Sequence, residues 1–246
     1  MRIFGLSDIG KVRELNEDCF GIVGFVAPSE DVGLAIVADG MGGHKAGEVA
    51  SDETVRIVSE EFAPHLNNNL AAKNISVLLA AAVQTANSAV QKMASENPER
   101  AGMGTTVVAA YVRGGTAYIA NVGDSRAYVI SNGEISQISI DHSLVEDLIA
   151  DGLIARSEAR EHPRKHVITR AIGSEPDILV DIFEYKCNAG DVLLLCTDGL
   201  TEMIDDNEIL KIVNASDDVK SAVESLVSKA NENGGTDNIT VVGVEF

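Results

Sequence analysis

The stretch TTVVAAYVRGGTAYIANVGDSRAYVISNG, residues 105–133, sets the architecture. Residues 105–112, 116–122 and 126–130 are rich in Val, Ile, Tyr and Thr, which favour pleated strands. Gly114-Gly115, Gly123-Asp124 and Asn132-Gly133 break the runs, and the last two suit tight reversals between adjacent antiparallel strands. On the N-terminal side, residues 2–9, 19–26 and 32–38 also read as strands. Residues 43–62 turn helical, with an imperfect apolar stripe. Residues 75–94 are clearer: Ile75, Leu78, Leu79, Ala82, Ala86, Val90 and Met93 keep the three-and-four spacing, with Asn74 as a cap.

Downstream, strands are expected at 179–185, 191–197 and 239–245, and helices at 206–213 and 219–230. Strand groups interleaved with helix pairs, with short turns between strands, predict an α+β chain of two antiparallel sheets covered by helices. A doubly wound parallel sheet would need a helix after nearly every strand. Residues 141–176 differ in character, being charged and poor in strand signal, with Gly152, Pro163, Gly173 and Pro176. They read as a flap subdomain over the site, with two ordinary surface helices as the alternative. No repeat or linker divides the chain, so residues 1–246 are expected to form one domain.

Composition narrows the chemistry. The 246 residues carry 19 Lys and Arg against 38 Asp and Glu, a net charge of −19. Nucleic acids and anionic membranes call for clustered cations, so neither is an expected partner. Tryptophan is absent, leaving the core to Val, Ile, Leu and Ala. Cys19, Cys187 and Cys196 form no C-x-x-C pair and sit in apolar stretches, as buried reduced thiols of a cytoplasmic protein do. There is neither a signal core nor an apolar run of membrane-spanning length.

Four apolar runs meet an aspartate at a turn: LAIVADG (34–40), YIANVGD (118–124), VLLLCTDG (192–199), and Asp237-Asn238 ahead of ITVV (239–242). A single Asp-Gly is a common turn dipeptide. Carboxylates gathered at the ends of buried strands repel one another unless a cation lies between them. All-oxygen ligands select hard ions such as Mg²⁺ or Mn²⁺. Two such ions bridged by a carboxylate can activate water against a phosphate ester. Asp39 is a candidate bridge, with Asp198, Asp237 and the Glu17-Asp18 pair as further ligands. The Gly40 carbonyl can face a metal where the backbone turns. Arg13 is the natural phosphate fork.

Taken in order, Arg13-x-x-Asn16-Glu17-Asp18, Ala38-Asp39-Gly40-Met41-Gly42-Gly43-His44, Gly104-Thr105-Thr106, Asn121-Val122-Gly123-Asp124-Ser125-Arg126, Thr197-Asp198-Gly199 and Gly235-Thr236-Asp237-Asn238 form a series. It resembles the protein phosphatase 2C family of metal-dependent serine/threonine phosphatases, in its compact bacterial branch, over essentially the whole chain. Asp141-His142-Ser143 and His162-Pro163-Arg164 look like that branch's flap. The resemblance implies a four-layer αββα sandwich. It also implies attack by metal-activated water on phosphoserine or phosphothreonine without a covalent enzyme intermediate.

By the same resemblance, Asp39 would bridge two Mn²⁺ or Mg²⁺ ions, with the Gly40 carbonyl on one. Asp198 and Asp237 would complete the other, and Asp18 or Glu17 would hold an inner water. Asp124 with Asp198 matches a third, weaker ion site. Arg13 would bind the substrate phosphate. Asn238 would orient its neighbours, Thr105 and Thr106 would make buried hydrogen bonds, and Arg126 would form a structural ion pair. The implied partners are phosphoproteins, including a cognate serine/threonine kinase or its targets.

One departure matters. Met41 stands where eukaryotic members carry a histidine proposed as general acid. A thioether cannot donate a proton, so that role falls to water on metal, to His44 or to the flap's His162. Two other readings compete: a binding module without turnover, which would tend to lose an aspartate, and a hydrolase of small phosphoesters.

Overall fold

The protein is described from a computed structural model covering residues 1–24, 32–42, 46–66 and 72–246. The chain begins with β1 (Arg2–Asp8), β2 (Asp18–Val23) and β3 (Val32–Met41), then α1 (Ala46–Phe62) and α2 (Ala72–Glu96). Next come β4 (Gly104–Thr105), β5 (Val107–Arg113), β6 (Thr116–Val122), β7 (Arg126–Ser131) and β8 (Glu134–Gln137), and then the short helices α3 (Leu144–Ala150) and α4 (Arg156–Ala159). It closes with β9 (Asp181–Lys186), β10 (Val192–Cys196), α5 (Asp198–Thr201), α6 (Asp206–Ala215), α7 (Val219–Glu232) and β11 (Ile239–Glu245).

One sheet has the order β1-β11-β10-β7-β8. The other runs β2-β3-β5-β6-β9, with β4 paired to the end of β3. Every pairing is antiparallel. The strands are apolar without alternation because each central strand is covered on both faces. In β3, Ala35 and Val37 meet Val108, Ile119, Leu193, Leu195 and Val242 between the sheets. Leu34 and Ile36 point outward, into a layer with Phe62, Leu79, Val83 and Tyr111 beneath α1 and α2. On the far side Tyr128, Leu194 and Val241 pack with Leu200, Val223 and Leu226 beneath α5 and α7. The result is the four-layer sandwich anticipated from the motifs. Each fully buried Leu, Val or Ile in it contributes roughly 1.5–3 kcal/mol.

Several local expectations change. The run 105–112 is two strands, β4 and β5, parted at Thr106, whose hydroxyl turns toward the acidic site. α2 begins at Ala72, so Asn74 lies inside the helix and does not cap it. The edge strand β8 was not anticipated: its sequence, EISQ, is short and polar. Residues 25–26 of the predicted second strand and 43–45 of the predicted first helix lie outside the described residues, and His44 with them.

Segment 141–176 holds two short helices joined by turns. Ser143 caps α3, its Oγ accepting from the Glu146 N–H at 3.3 Å. The segment's far end is pinned to α2, where buried Asn87 accepts from the Gly173 N–H at 2.7 Å and donates to the Glu175 carbonyl at 2.8 Å. Its outer part is held by ion pairs, Arg156 with Glu146 at 2.6 Å and Lys165 with Glu202. Among the described residues no helix is long and apolar enough to cross a membrane.

Candidate metal centre

Antiparallel register sets Asp39 at the end of β3 directly opposite Asp18 of β2. The backbone of Asp39 is fixed by two threonines: its N–H donates to Thr106 Oγ1 at 3.0 Å, and its carbonyl accepts from Thr105 Oγ1 at 2.8 Å. Both threonines are buried and hydrogen-bonded, as expected of them. Gly40 follows, where a Cβ would come within 2.2 Å of the Gly47 carbonyl and 2.4 Å of the Glu17 carbonyl. Only glycine fits there.

The other sheet supplies the remaining acids. Asp198 is the first residue of α5, directly past β10, and Asp237 stands just before β11. Asn238 ties the region together: its Nδ2 donates to the carbonyls of Ile9 at 3.0 Å and Leu15 at 2.9 Å, while its Oδ1 accepts from the Glu17 N–H at 2.8 Å. Its orienting role was anticipated. Unanticipated are Thr197 and Thr240, whose hydroxyls both donate to Asp18 Oδ2, at 2.9 and 2.7 Å. The one sequence signal is for Thr197, which stands beside Asp198 at the end of an apolar strand; Thr240, between Ile239 and Val241, carries none.

The carboxylates perturb one another. Burial raises Asp18 to about 7, and Asp198 and Asp237 add to the rise against the two threonine hydrogen bonds. Asp39 is held well above the carboxylate range, first by burial and then by Asp18, Asp198, Asp124 and Asp237. Burial raises Asp124 to about 7, with Asp198 and Asp141 contributing. Asp198 rises to about 6 through burial, Asp237 and Glu202, moderated by a hydrogen bond with Asp39. Charge repelled in this way is charge a cation can stabilise.

Glu17 Oε1 and Asp18 Oδ1 are buried without a hydrogen-bond partner, oxygens that an ion or its waters can satisfy. Among the described residues no three His, Cys, Asp or Glu side chains form a cage that holds an ion unaided. An ion held here would need water among its ligands, as Mg²⁺ keeps by preference. The donor set fits such ions.

Arg13 stands at the mouth, where its Nη2 donates to Asp237 Oδ2 at 2.6 Å. Beside the acids lies a cavity of about 590 Å³ lined by Asp124, Asp198, Glu202, Arg156, Arg160 and Lys165, among others. Arg126 makes the ion pair expected of it, with Asp141, at 2.7–3.0 Å. His162 does not line that cavity; its Nδ1 accepts from the Arg164 N–H at 3.2 Å. Burial pushes the Cys19 thiol up to about 11 and those of Cys187 and Cys196 to about 12, so none is a ready nucleophile.

Comparison with known proteins agrees with this geometry. The family model described as "Protein phosphatase 2C" matches residues 11–240. The chain belongs to the protein phosphatase 2C family. That makes it a metal-dependent phosphoprotein phosphatase. It is 39% identical over 239 residues to the serine/threonine phosphatase stp of Listeria monocytogenes, covering 97% of this chain and 93% of the relative. The Streptococcus agalactiae serine/threonine phosphatase superimposes with a TM-score of 0.89 at 33% identity, covering 98% of each chain. The catalytic domain of the phosphatase PstP, solved in complex with two manganese ions, superimposes at 0.83 with 34% identity, covering 99% of this chain and 97% of that one.

Proposed function

We propose that this phosphatase hydrolyses phosphoserine and phosphothreonine in proteins at two Mn²⁺ or Mg²⁺ ions held by Asp39, the Gly40 carbonyl, Asp198 and Asp237. The observation that carries the reading is the meeting of four mutually repelling carboxylates, two from each sheet, beside a half-exposed arginine. When bound, the ions supply an activated water that attacks phosphorus directly. Asp18, fixed by Thr197 and Thr240, orients an inner water through its free Oδ1, aided by Glu17. Arg13 takes the phosphate oxygens, sharing its guanidinium between them and Asp237. Met41 has no proton to give, so the leaving oxygen takes its proton from water.

Asp124 with Asp198 holds a third, weaker ion facing the cavity. The chain acts as one phosphatase domain over residues 1–246, with residues 141–176 as a flap that chooses the peptide. It works in the cytoplasm, a reading supported by three free thiols, and acts in signal transduction on the targets of a cognate serine/threonine kinase or on that kinase itself. The net charge of −19 supports a preference for phosphosites flanked by Lys or Arg. Phosphate release from phosphothreonine peptides tests the reading: it depends on Mn²⁺ and vanishes with chelator and in Asp39→Asn. Activity surviving both refutes it.

A further inference from the structure

His142 is a buried histidine with no part in the chemistry above, yet its polar atoms are all engaged. Its N–H donates to the Gly123 carbonyl at 2.9 Å, and its carbonyl accepts from the Thr169 N–H at 2.8 Å. Its Nδ1 accepts the Gly123 N–H at 3.0 Å. A backbone amide can only donate, so Nδ1 carries no proton and the ring is neutral with its hydrogen on Nε2. That hydrogen faces Asp181 Oδ2 at 3.2 Å, while Asp181 Oδ1 accepts from Arg170 Nη1 at 2.8 Å. Arg170 Nη1 also donates to the Leu179 carbonyl at 3.0 Å and lies 2.8 Å from His142 Nε2, so it braces Asp181 while packed against the same edge of the ring.

Gly123 immediately precedes Asp124 and sits at φ +107°, where a Cβ would come within 2.6 Å of the Thr106 side chain. Thr106 Oγ1 in turn lies 2.7 Å from Ser125 Oγ and accepts the Asp39 N–H at 3.0 Å. The turn 123–125 is thus gripped from two sides, by the Asp39 strand end through Thr106 and by the root of the flap through His142. Asp124 and Asp198 line the same cavity.

We propose that His142 is the positioning residue for Asp124: with Asp181 and Arg170 it locks the Gly123-Asp124 turn so that the carboxylate faces Asp198, and thereby sets affinity for a third divalent ion. The proposal rests on the reading of Asp124 as a ligand. The test combines Mn²⁺ calorimetry with exchange protection of the Gly123 amide in metal-free protein, on the wild type, Asp124→Ala, His142→Phe, His142→Asn and Asp181→Asn.

Outer-shell losses typically weaken a metal site roughly 10–100-fold. His142→Phe is expected to lose that much at the weakest ion only, together with Gly123 protection. His142→Asn, whose Oδ1 can take the Gly123 N–H, restores most of both, and Asp181→Asn falls between. If His142→Phe does not fold, Asp181→Asn and His142→Asn decide. A weak-ion affinity that Asp124→Ala lowers and the clamp variants leave alone overturns the clamp, as does an equal loss at all ions or a failure of asparagine to rescue. An Asp124→Ala variant that binds ions like the wild type refutes the ligand reading, and the proposal falls with it.

Discussion

The strand ends that carry the acids and segment 141–176, proposed above as a flap, are held by opposite means. At the strand ends Asp18 and Asp39 are fixed by buried groups from distant sequence, Thr197 and Thr240 on Asp18 and Thr105 and Thr106 on Asp39, with Asn238 tying three loops together. In the flap, Leu153 and Val167 are exposed, and the outer contacts are solvent-facing ion pairs such as Arg156–Glu146. Rigid support suits atoms that must meet a metal within tenths of an ångström. Weakly held, solvated segments suit selection among partners, since they open at little cost. Substitutions in the two regions should therefore differ in kind.

Asp39→Asn is expected to have the largest effect. On the proposed reading it removes a charge shared by both ions, costing several kcal/mol of transition-state stabilisation, about a thousandfold or more in kcat, with little change in Tm. Steady-state kinetics at saturating Mn²⁺ checks it. Arg13→Ala loses a charge-assisted contact to phosphate, worth roughly 1.5–3 kcal/mol, or about 10–150-fold in kcat/KM. Arg13→Lys should recover only part of that, since an ammonium lacks the fork.

Thr197→Val with Thr240→Val strips Asp18 Oδ2 of both donors. Mn²⁺ affinity should fall roughly 10–100-fold, measured by calorimetry, while the apolar core is preserved. If affinity is unchanged, the anchoring of Asp18 is ornamental and the contrast between the regions weakens.

A further prediction concerns pH. Asp18, Asp124 and Asp198 titrate at about 7, 7 and 6 in the fold, above the value near 4 of an unfolded chain, with Asp39 higher still. A raised carboxylate stabilises the metal-free fold fully below about pH 4, and that stability is lost as pH rises through the folded values. Mn²⁺ compensates the charges so released. The rise in Tm on adding Mn²⁺ should then be larger at pH 8 than at pH 5.5, read by thermal denaturation. A rise independent of pH would mean that the acids do not face the ions.

The smallest effects belong to the flap. Arg156→Ala breaks an exposed ion pair, which is worth about 1 kcal/mol or less. Replacing residues 153–166 should change the preference among phosphopeptides while hydrolysis of aryl phosphates stays within severalfold. Equal collapse of both activities would place the flap with the rigid region.

What was legible in the sequence follows the same division. Runs such as 34–38 and 192–196 announce themselves because burial on both faces leaves no polar position, and the helix 75–94 shows its apolar stripe. Asp39, Asp124 and Asp198 were legible because each sits at a turn ending such a run, and Asp237 because it stands just ahead of one. β8 was not, since a four-residue polar edge strand carries no periodic signal. The cap at Asn74 misled because the helix begins two residues earlier, at Ala72, ahead of that plausible start. The roles of Thr197 and Thr240, and the tie between His142 and Gly123, depend on contacts from residues 19 to 222 positions apart. No local pattern encodes them.

The sheet order has a consequence for synthesis. Among the described strands β1 pairs with β11 alone, more than 230 residues later in the chain, and Asp237 lies just ahead of β11. Until the ribosome has delivered residues 237–245, β1 has no strand to pair with in its sheet and the acidic cluster lacks Asp237. A nascent chain that has not yet reached Asp237 is expected to be catalytically silent, unable to strip phosphate from its neighbours.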